Sequence, residues 1–189
     1  MNKMRQKPTS SFRPPRTVSN PDFLDRGSDA EFRESIYAFL QGAGRLSTCR
    51  EAFGRSLGLT GSQFAVLIGI AYHQGLAGVT VRDLAKHVAL ASTHVTTEVG
   101  RLTESGFLIK RPNQSDRRSV LISLSKAGER AVLNVSPFVR TINDILFAGI
   151  NPKDLAVVHS VARKLVANSE HAMIELNRRS IRMTKRNST

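Results

Sequence analysis

The chain has 189 residues, with 28 Lys and Arg against 15 Asp and Glu, and a formal net charge of +13. That length suits one substantial domain with an appended extension rather than two independent domains, and the charge calls for an anionic partner such as nucleic acid, an acidic protein or an anionic membrane surface. A single cysteine, Cys49, excludes an intramolecular disulfide framework and fits a reducing cytoplasm; with no apolar run of about 18 residues, and none behind the N-terminal basic residues, neither a membrane span nor a secretory signal is expected.

The charge is unevenly spread. Residues 1–20 carry Lys3, Arg5, Lys7, Arg13 and Arg16, residues 178–189 carry Arg178, Arg179, Arg182, Lys185 and Arg186, and neither stretch has an acid, so the ends hold ten of the thirteen excess charges. Residues 78–130 hold nine basic against five acidic residues, so the surplus of the body lies there.

Residues 1–27, with Pro8, Pro14, Pro15 and Pro21 among polar and basic neighbours, cannot bury enough apolar surface to offset ordering and read as a disordered basic arm. From Asp29 to Leu57, Phe32, Ile36, Phe39, Leu40, Ala43, Leu46 and Phe53 make a helical stripe, with Asp29, Glu31 and Glu34 near the end where the dipole favours acids. Gly42 and Gly44 each cost that helix about 1 kcal/mol relative to alanine and point to close packing or a bend. Thr60-Gly61-Ser62-Gln63 is a capping box. It opens a helix that buries Phe64, Leu67, Ile68 and Ala71 and ends near His73, a histidine suited to the C-terminal dipole or to a pocket wall. Gly78-Val79 reads as a short third strand beside the hairpin that follows.

The stretch Thr80 to Leu124 is the chemically informative one. Thr80 and Asp83 offer side chains to the free N–H groups of a helix start, and Val81, Leu84, Ala85 and Val88 follow at helical spacing. A second helix begins near Ser92, with Val95, Val99 and Leu102 on one stripe and Ser92, Thr93, His94, Thr96, Thr97 and Arg101 elsewhere, Glu98 being the nearby acidic exception. Gly106 supplies the left-handed stop. Residues 107–111 and 119–124 read as strands around the basic turn 112–118. Two helices joined by about three residues make a helix-turn-helix whose second helix is of a size to enter a major groove.

Ser125 is a helix N-cap, and Ala127, Ala131, Val132 and Val135 precede Pro137, where a kink or interruption is expected. Asn151-Pro152-Lys153-Asp154 caps a last helix whose Leu155, Val158, Ala162, Leu165, Val166, Met173 and Leu176 need cover. A second copy, together with the 28–57 helix, supplies it; folding back within one chain is the alternative. Catalytic signatures are missing: no glycine-rich phosphate loop, no paired-histidine or Cys-x-x-Cys spacing, no nucleophile elbow. His73, His87, His94, His159 and His171 do not converge on one helical face. No enzyme, metal or cofactor is expected.

In order and spacing, Leu59-Thr60-x-x-Gln63, Val81-x-Asp83-Leu84-Ala85, Val95-Thr96, Arg101-Leu102, Ser105-Gly106-Phe107-x-x-Lys110-Arg111, Asp116-Arg117-Arg118 and Leu124-Ser125-x-x-Gly128 resemble the MarR family. The resemblance implies a mainly α fold with a small β-hairpin wing: a winged helix-turn-helix over 58–125, a helical dimerisation region over 28–57 and 126–177, and a basic tail over 178–189. It implies a cytoplasmic homodimeric transcriptional repressor on a pseudo-palindromic duplex, released by a small aromatic acid or phenol. On this reading Ser92, Thr93, His94, Thr96 and Thr97 face the major groove with Arg101 near the backbone. Arg111, Arg117 and Arg118 frame the wing, where arginine suits a narrow minor groove, and by resemblance Asp116 steadies Arg118 as the inserted group. Arg45, Arg50 and Arg55, with Tyr72 and His73, are the candidates for a ligand carboxylate. Thr97 departs from the family, which often has a longer basic or polar residue there. Two other readings stand: a non-specific or architectural binder driven by the basic ends, and an oxidant sensor at Cys49. Family thiol sensors carry their cysteine near the start of the first long helix, so an inert buried thiol is the better reading of Cys49.

Overall fold

The computed structural model describes residues 12, 14–88 and 90–186, with side chains through residue 180. After a 3-10 turn at Pro21–Phe23, the elements are α1 (Ala30–Arg55), α2 (Gly61–His73), α3 (Val81–Val88), α4 (Ser92–Glu104), β1 (Leu108–Pro112), β2 (Val120–Leu124), α5 (Lys126–Leu146) and α6 (Pro152–Arg186). The fold is mainly α with one antiparallel hairpin. Two compact units divide the chain between Val139 and Arg140.

The core of the first unit is built around α2, which packs against α1, α3, α4 and β2. Surrounded on several sides, α2 buries Phe64, Val66, Leu67 and Ile70, a wider set than one stripe; Ile68 and Ala71 are only half-buried. Its start is fixed by the predicted capping box, Thr60 Oγ1 accepting from Gln63 N and Gln63 Oε1 from Thr60 N. Gln74 at its other end ties down the wing, Oε1 accepting from Leu124 N at 2.7 Å. Leu84, Val95, Val99, Leu102, Leu108 and Ile122 complete the core. The third strand is a single bridge, Val79 and Ile122 exchanging two backbone hydrogen bonds of 2.9 Å.

Local chemistry sets the junctions within the segment from α2 to the start of α5, the head of the molecule. Thr80 Oγ1 accepts from Asp83 N, whereas the Asp83 carboxylate takes the Thr80 hydroxyl and Lys86 Nζ instead of a backbone N–H. Lys86 first, then Thr80, hold that carboxyl below its ordinary range. Gly106, at φ +77°, ends α4: its N–H reaches Thr103 O, and the N–H of Phe107 reaches Leu102 O, which together satisfy two free carbonyls of the last turn. Ser125 Oγ accepts from Gly128 N and donates to Gly106 O, joining the start of α5 to the end of α4. Gly128 lies where any Cβ would collide with the Phe107 carbonyl, so only glycine fits that crossing.

Four expectations are corrected. The arm expected over 1–27 is engaged from Thr17 onward: Thr17 N–H and hydroxyl donate to Asp29 Oδ2 at 2.6 and 2.7 Å, and Phe23 and Phe32 rings lie 5.2 Å apart. Asp29 is 2 % exposed and ion-paired to Arg33, so this contact gives a proline-rich stretch the anchor its composition does not advertise. Of the kink or interruption expected at Pro137, the interruption does not occur: helix α5 runs from Lys126 to Leu146, because the ring removes one hydrogen bond but its fixed φ is helical; the neighbouring Phe138 meets Phe53 edge-on at 5.4 Å. Of the close packing or bend expected at Gly42 and Gly44, the packing is not found among the described residues of one chain: neither has a neighbour within 4 Å of a notional Cβ. Finally, α6 continues to Arg186, past the expected boundary at 177, since its basic residues are good helix formers. The expected basic residues Lys3, Arg5, Lys7 and Arg13, and the side chains of Arg182, Lys185 and Arg186, lie outside the described residues.

In the second unit, Asn151 Oδ1 accepts from Lys153 N and Asp154 N while Asp154 Oδ2 accepts from Asn151 N. That closes the start of a 35-residue helix.

Candidate nucleic-acid interface

Helix α4 buries Val95, Glu98, Val99 and Leu102. Ser92, Thr93, His94, Thr96, Thr97 and Arg101 are all exposed. Two of the hydroxyls are committed: Thr96 Oγ1 donates to Ser92 O at 2.8 Å and Thr97 Oγ1 to Thr93 O at 3.1 Å. Both therefore turn acceptor lone pairs outward, not donors.

Glu98 is the feature the sequence reading misjudged. It is not an acid on the outer face; it is 3 % exposed, and its Oε1 accepts from His94 Nε2 at 3.2 Å and Arg101 Nη1 at 3.1 Å. The signal was present in the spacing, because position 98 falls on the stripe set by 95, 99 and 102. Turning this acid inward leaves the exposed face of α4 acid-free from Ser92 to Arg101.

The wing pairs Leu108 with Leu124 and Pro112 with Val120. Its tip is shaped by short polar side chains: Asn113 Oδ1 accepts from Ser115 N, Asn113 Nδ2 donates to Ser119 Oγ, and Asp116 O accepts from Ser119 N. Asp116 Oδ1 accepts from the backbone N–H of Arg118 at 3.1 Å. It thus fixes the turn, and no contact between its carboxylate and the Arg118 guanidinium occurs among the described ion pairs. Arg111, Arg117 and Arg118 are exposed. A hollow on the wing brings together Lys110, Arg111, Asn113 and Arg117, a grouping in which Lys110 was not foreseen and Arg118 takes no part. Among the described residues none of Lys110, Arg111, Arg117 and Arg118 has an acidic partner.

The five ligand candidates are not gathered into one described cavity, and Arg55, the last residue of α1, is exposed. Arg45 lines an open hollow on α1 with Gln41, Gly44 and Thr48. Arg50 is half-buried, with its Nε lacking a partner and a guanidinium nitrogen 3.4 Å from Ser47 Oγ. Tyr72 projects into solvent. His73 stacks on His87 with ring centroids 3.7 Å apart and planes 9° from parallel, a pairing between helices that spacing along one helix cannot reveal. No cluster suited to a metal occurs among the described residues. Cys49 is a free, half-buried thiol on α1.

Residues 57–119 match the model of the MarR family. Among proteins of known sequence, the chain is 34% identical over 71 residues to the transcriptional activatory protein BadR of Rhodopseudomonas palustris, a stretch covering 38% of this chain and 41% of BadR. It is 27% identical over 99 residues to the HTH-type transcriptional regulator YwhA of Bacillus subtilis, covering 52% of this chain and 70% of YwhA. Among solved structures, Bordetella bronchiseptica BpsR superposes with a TM-score of 0.57 at 23% identity, covering 70% of this chain and 98% of BpsR. A MarR mutant from E. coli in complex with operator DNA gives 0.59 at 20% identity, covering 71% of this chain and 95% of that one. Those two superpositions speak for the fold, and the matched segment 57–119 spans α2, α3, α4, β1 and the turn that leads to β2. Over residues 57–119 the chain is similar to the MarR family, and its fold is that of the winged helix-turn-helix structures it superposes on.

Proposed function

We propose that this protein is a homodimeric, sequence-specific DNA-binding regulator, in which α4 of each copy enters a major groove and the wing reaches the flanking minor groove. The observation that carries the reading is the charge pattern of the head. Its one acid on α4 between Ser92 and Arg101 is turned inward, and four wing cations have no acidic partner among the described residues, so contact with phosphate costs them no internal ion pair. Ser92, Thr93, His94, Thr96 and Thr97 read base edges, Arg101 lies near the backbone, and Arg117 and Arg118 serve the minor groove.

The dimer is supported by the exposed apolar faces of α1, including Tyr37, Leu40 and Leu46, and of α6; faces of that extent on helices rarely stay bare in water. Two copies related by a two-fold axis present their α4 helices to successive major grooves about 34 Å apart on a pseudo-palindrome. The effector class follows from a neighbour: DNA binding by BpsR is regulated by 6-hydroxynicotinic acid, a small aromatic acid. We extend that class, with phenols, to this protein, and take Arg45, on its open hollow of α1, and half-buried Arg50 as the candidates for its carboxylate. The action is repression by occlusion where the operator overlaps a promoter.

The test is selection of bound duplexes from genomic fragments, followed by competition against random DNA. Retained preference after removal of residues 1–20 supports the reading. Binding that disappears with those residues, or that never distinguishes one duplex from another, refutes it in favour of charge-driven association.

A further inference from the structure

Glu98 differs from every other charged side chain of the reading head. Its carboxylate is buried, Oε1 takes both His94 Nε2 and Arg101 Nη1, and Oε2 has no hydrogen-bond partner among the described residues. Stability does not call for it. A buried carboxylate with an unsatisfied oxygen is unfavourable, and the site lies on the stripe of Val95, Val99 and Leu102, where leucine would serve the core better. The two groups it holds are the only imidazole and the only guanidinium on α4.

Resting on the assignment of α4 to the major groove, we propose that Glu98 is a positioning residue that sets base selectivity through His94 and Arg101. A carboxylate only accepts, so Nε2 of His94 carries a proton, and in the neutral form of the ring Nδ1 is left as an acceptor. Thr96 and Thr97 likewise turn acceptors outward, their hydroxyl protons being given to backbone oxygens. Such a face complements the amino groups of cytosine and adenine and disfavours the paired acceptors of guanine. Arg101, held from below through Nη1, is restrained from neutralising whichever phosphate is nearest. The buried acid thereby lowers attraction to any duplex and raises preference among duplexes.

The experiment compares wild-type protein, Glu98→Leu and Glu98→Gln by selection from a random duplex pool, with affinities for selected and random DNA measured across a salt series. Expected for Glu98→Leu are a melting temperature no lower than wild type, tighter binding to random duplex, a salt slope steeper by about one phosphate contact, and about tenfold less preference for the wild-type sequence, the worth of one base contact. Glu98→Gln, which keeps an oxygen acceptor but not the charge, retains the selected sequence while its salt slope steepens. A Glu98→Leu protein that selects the same duplexes with wild-type preference and slope overturns the proposal. Should that variant not melt cooperatively, His94→Ala decides instead: loss of the same base preference supports the proposal, and an unaltered preference overturns it. A wild-type protein that enriches no sequence refutes the DNA-reading assignment itself, a result distinct from either.

Discussion

The reading head and α6 carry similar apolar residues and treat them in opposite ways. In the head, Leu67, Ile70, Leu84, Leu102 and Ile122 are fully buried within one chain, whereas Leu155, Val158, Leu165, Val166, Met173 and Leu176 on α6 are each at least 46% exposed. Periodicity states only that a face needs cover. It is silent on whether the cover comes from the same chain. The head closes on itself because four elements converge on α2, and α6 displays a stripe at the same spacing with none of its described side chains buried.

This contrast can be broken most sharply by core truncation. Leu84→Ala should cost about 2–5 kcal/mol in denaturant unfolding at any protein concentration, while Leu165→Ala should approach such a cost only at concentrations where copies associate. Equal, concentration-independent losses would mean that α6 is covered by its own chain. Next in size, Val158→Asp with Leu165→Asp should leave the head folded, shift sedimentation to the monomer and weaken operator binding at least about a hundredfold, because paired half-sites no longer act together. An unchanged dimer would move the interface elsewhere.

Within the head, Arg117→Ala and Arg118→Ala should each weaken binding by about tenfold and lower the salt slope by about one if both meet phosphate or the minor groove. Since Arg117 lines the wing hollow and Arg118 does not, a change confined to one of them would identify the inserted group. Smaller still is Gly42→Ala. In an isolated helix it should add about 0.5–1 kcal/mol of stability, and a Gly42→Ala protein that instead dimerises less would show that a partner approaches that bare stretch of α1.

The smallest effect concerns the docked segment before α1. The Thr17 N–H and hydroxyl, and then Arg33, hold Asp29 below the ordinary carboxylate range, so its contribution is complete above the unfolded value of about 3.9 and fades as pH falls through the lower folded one. Thr17→Val should therefore lower the melting temperature near neutral pH, with the gap to wild type closing in acid. A gap that persists below the carboxylate range would assign the loss to packing.

Much of the head was legible because its signals are local. A capping box at Thr60 and Gln63, a stop at Gly106, a polar turn between two β-rich runs and a cap at Ser125 each concern residues within a few positions of one another. What escaped notice involved distance. Thr17 reaches Asp29 across twelve residues, Gln74 reaches Leu124 across fifty, and His73 meets His87 from a different helix. Glu98 escaped for another reason: charge suggests solvent, and only its place on the buried stripe says otherwise.

By itself the sequence determined the order of the elements, since caps, turns and periodicity are properties of neighbouring residues and act before any tertiary contact forms. Which side of α4 keeps its acid, which wing arginine shares a hollow with Lys110 and Arg111, and which apolar stripes stay bare were decided only in three dimensions. Burial depends on what the rest of the chain brings alongside, and no stretch of sequence carries that about itself.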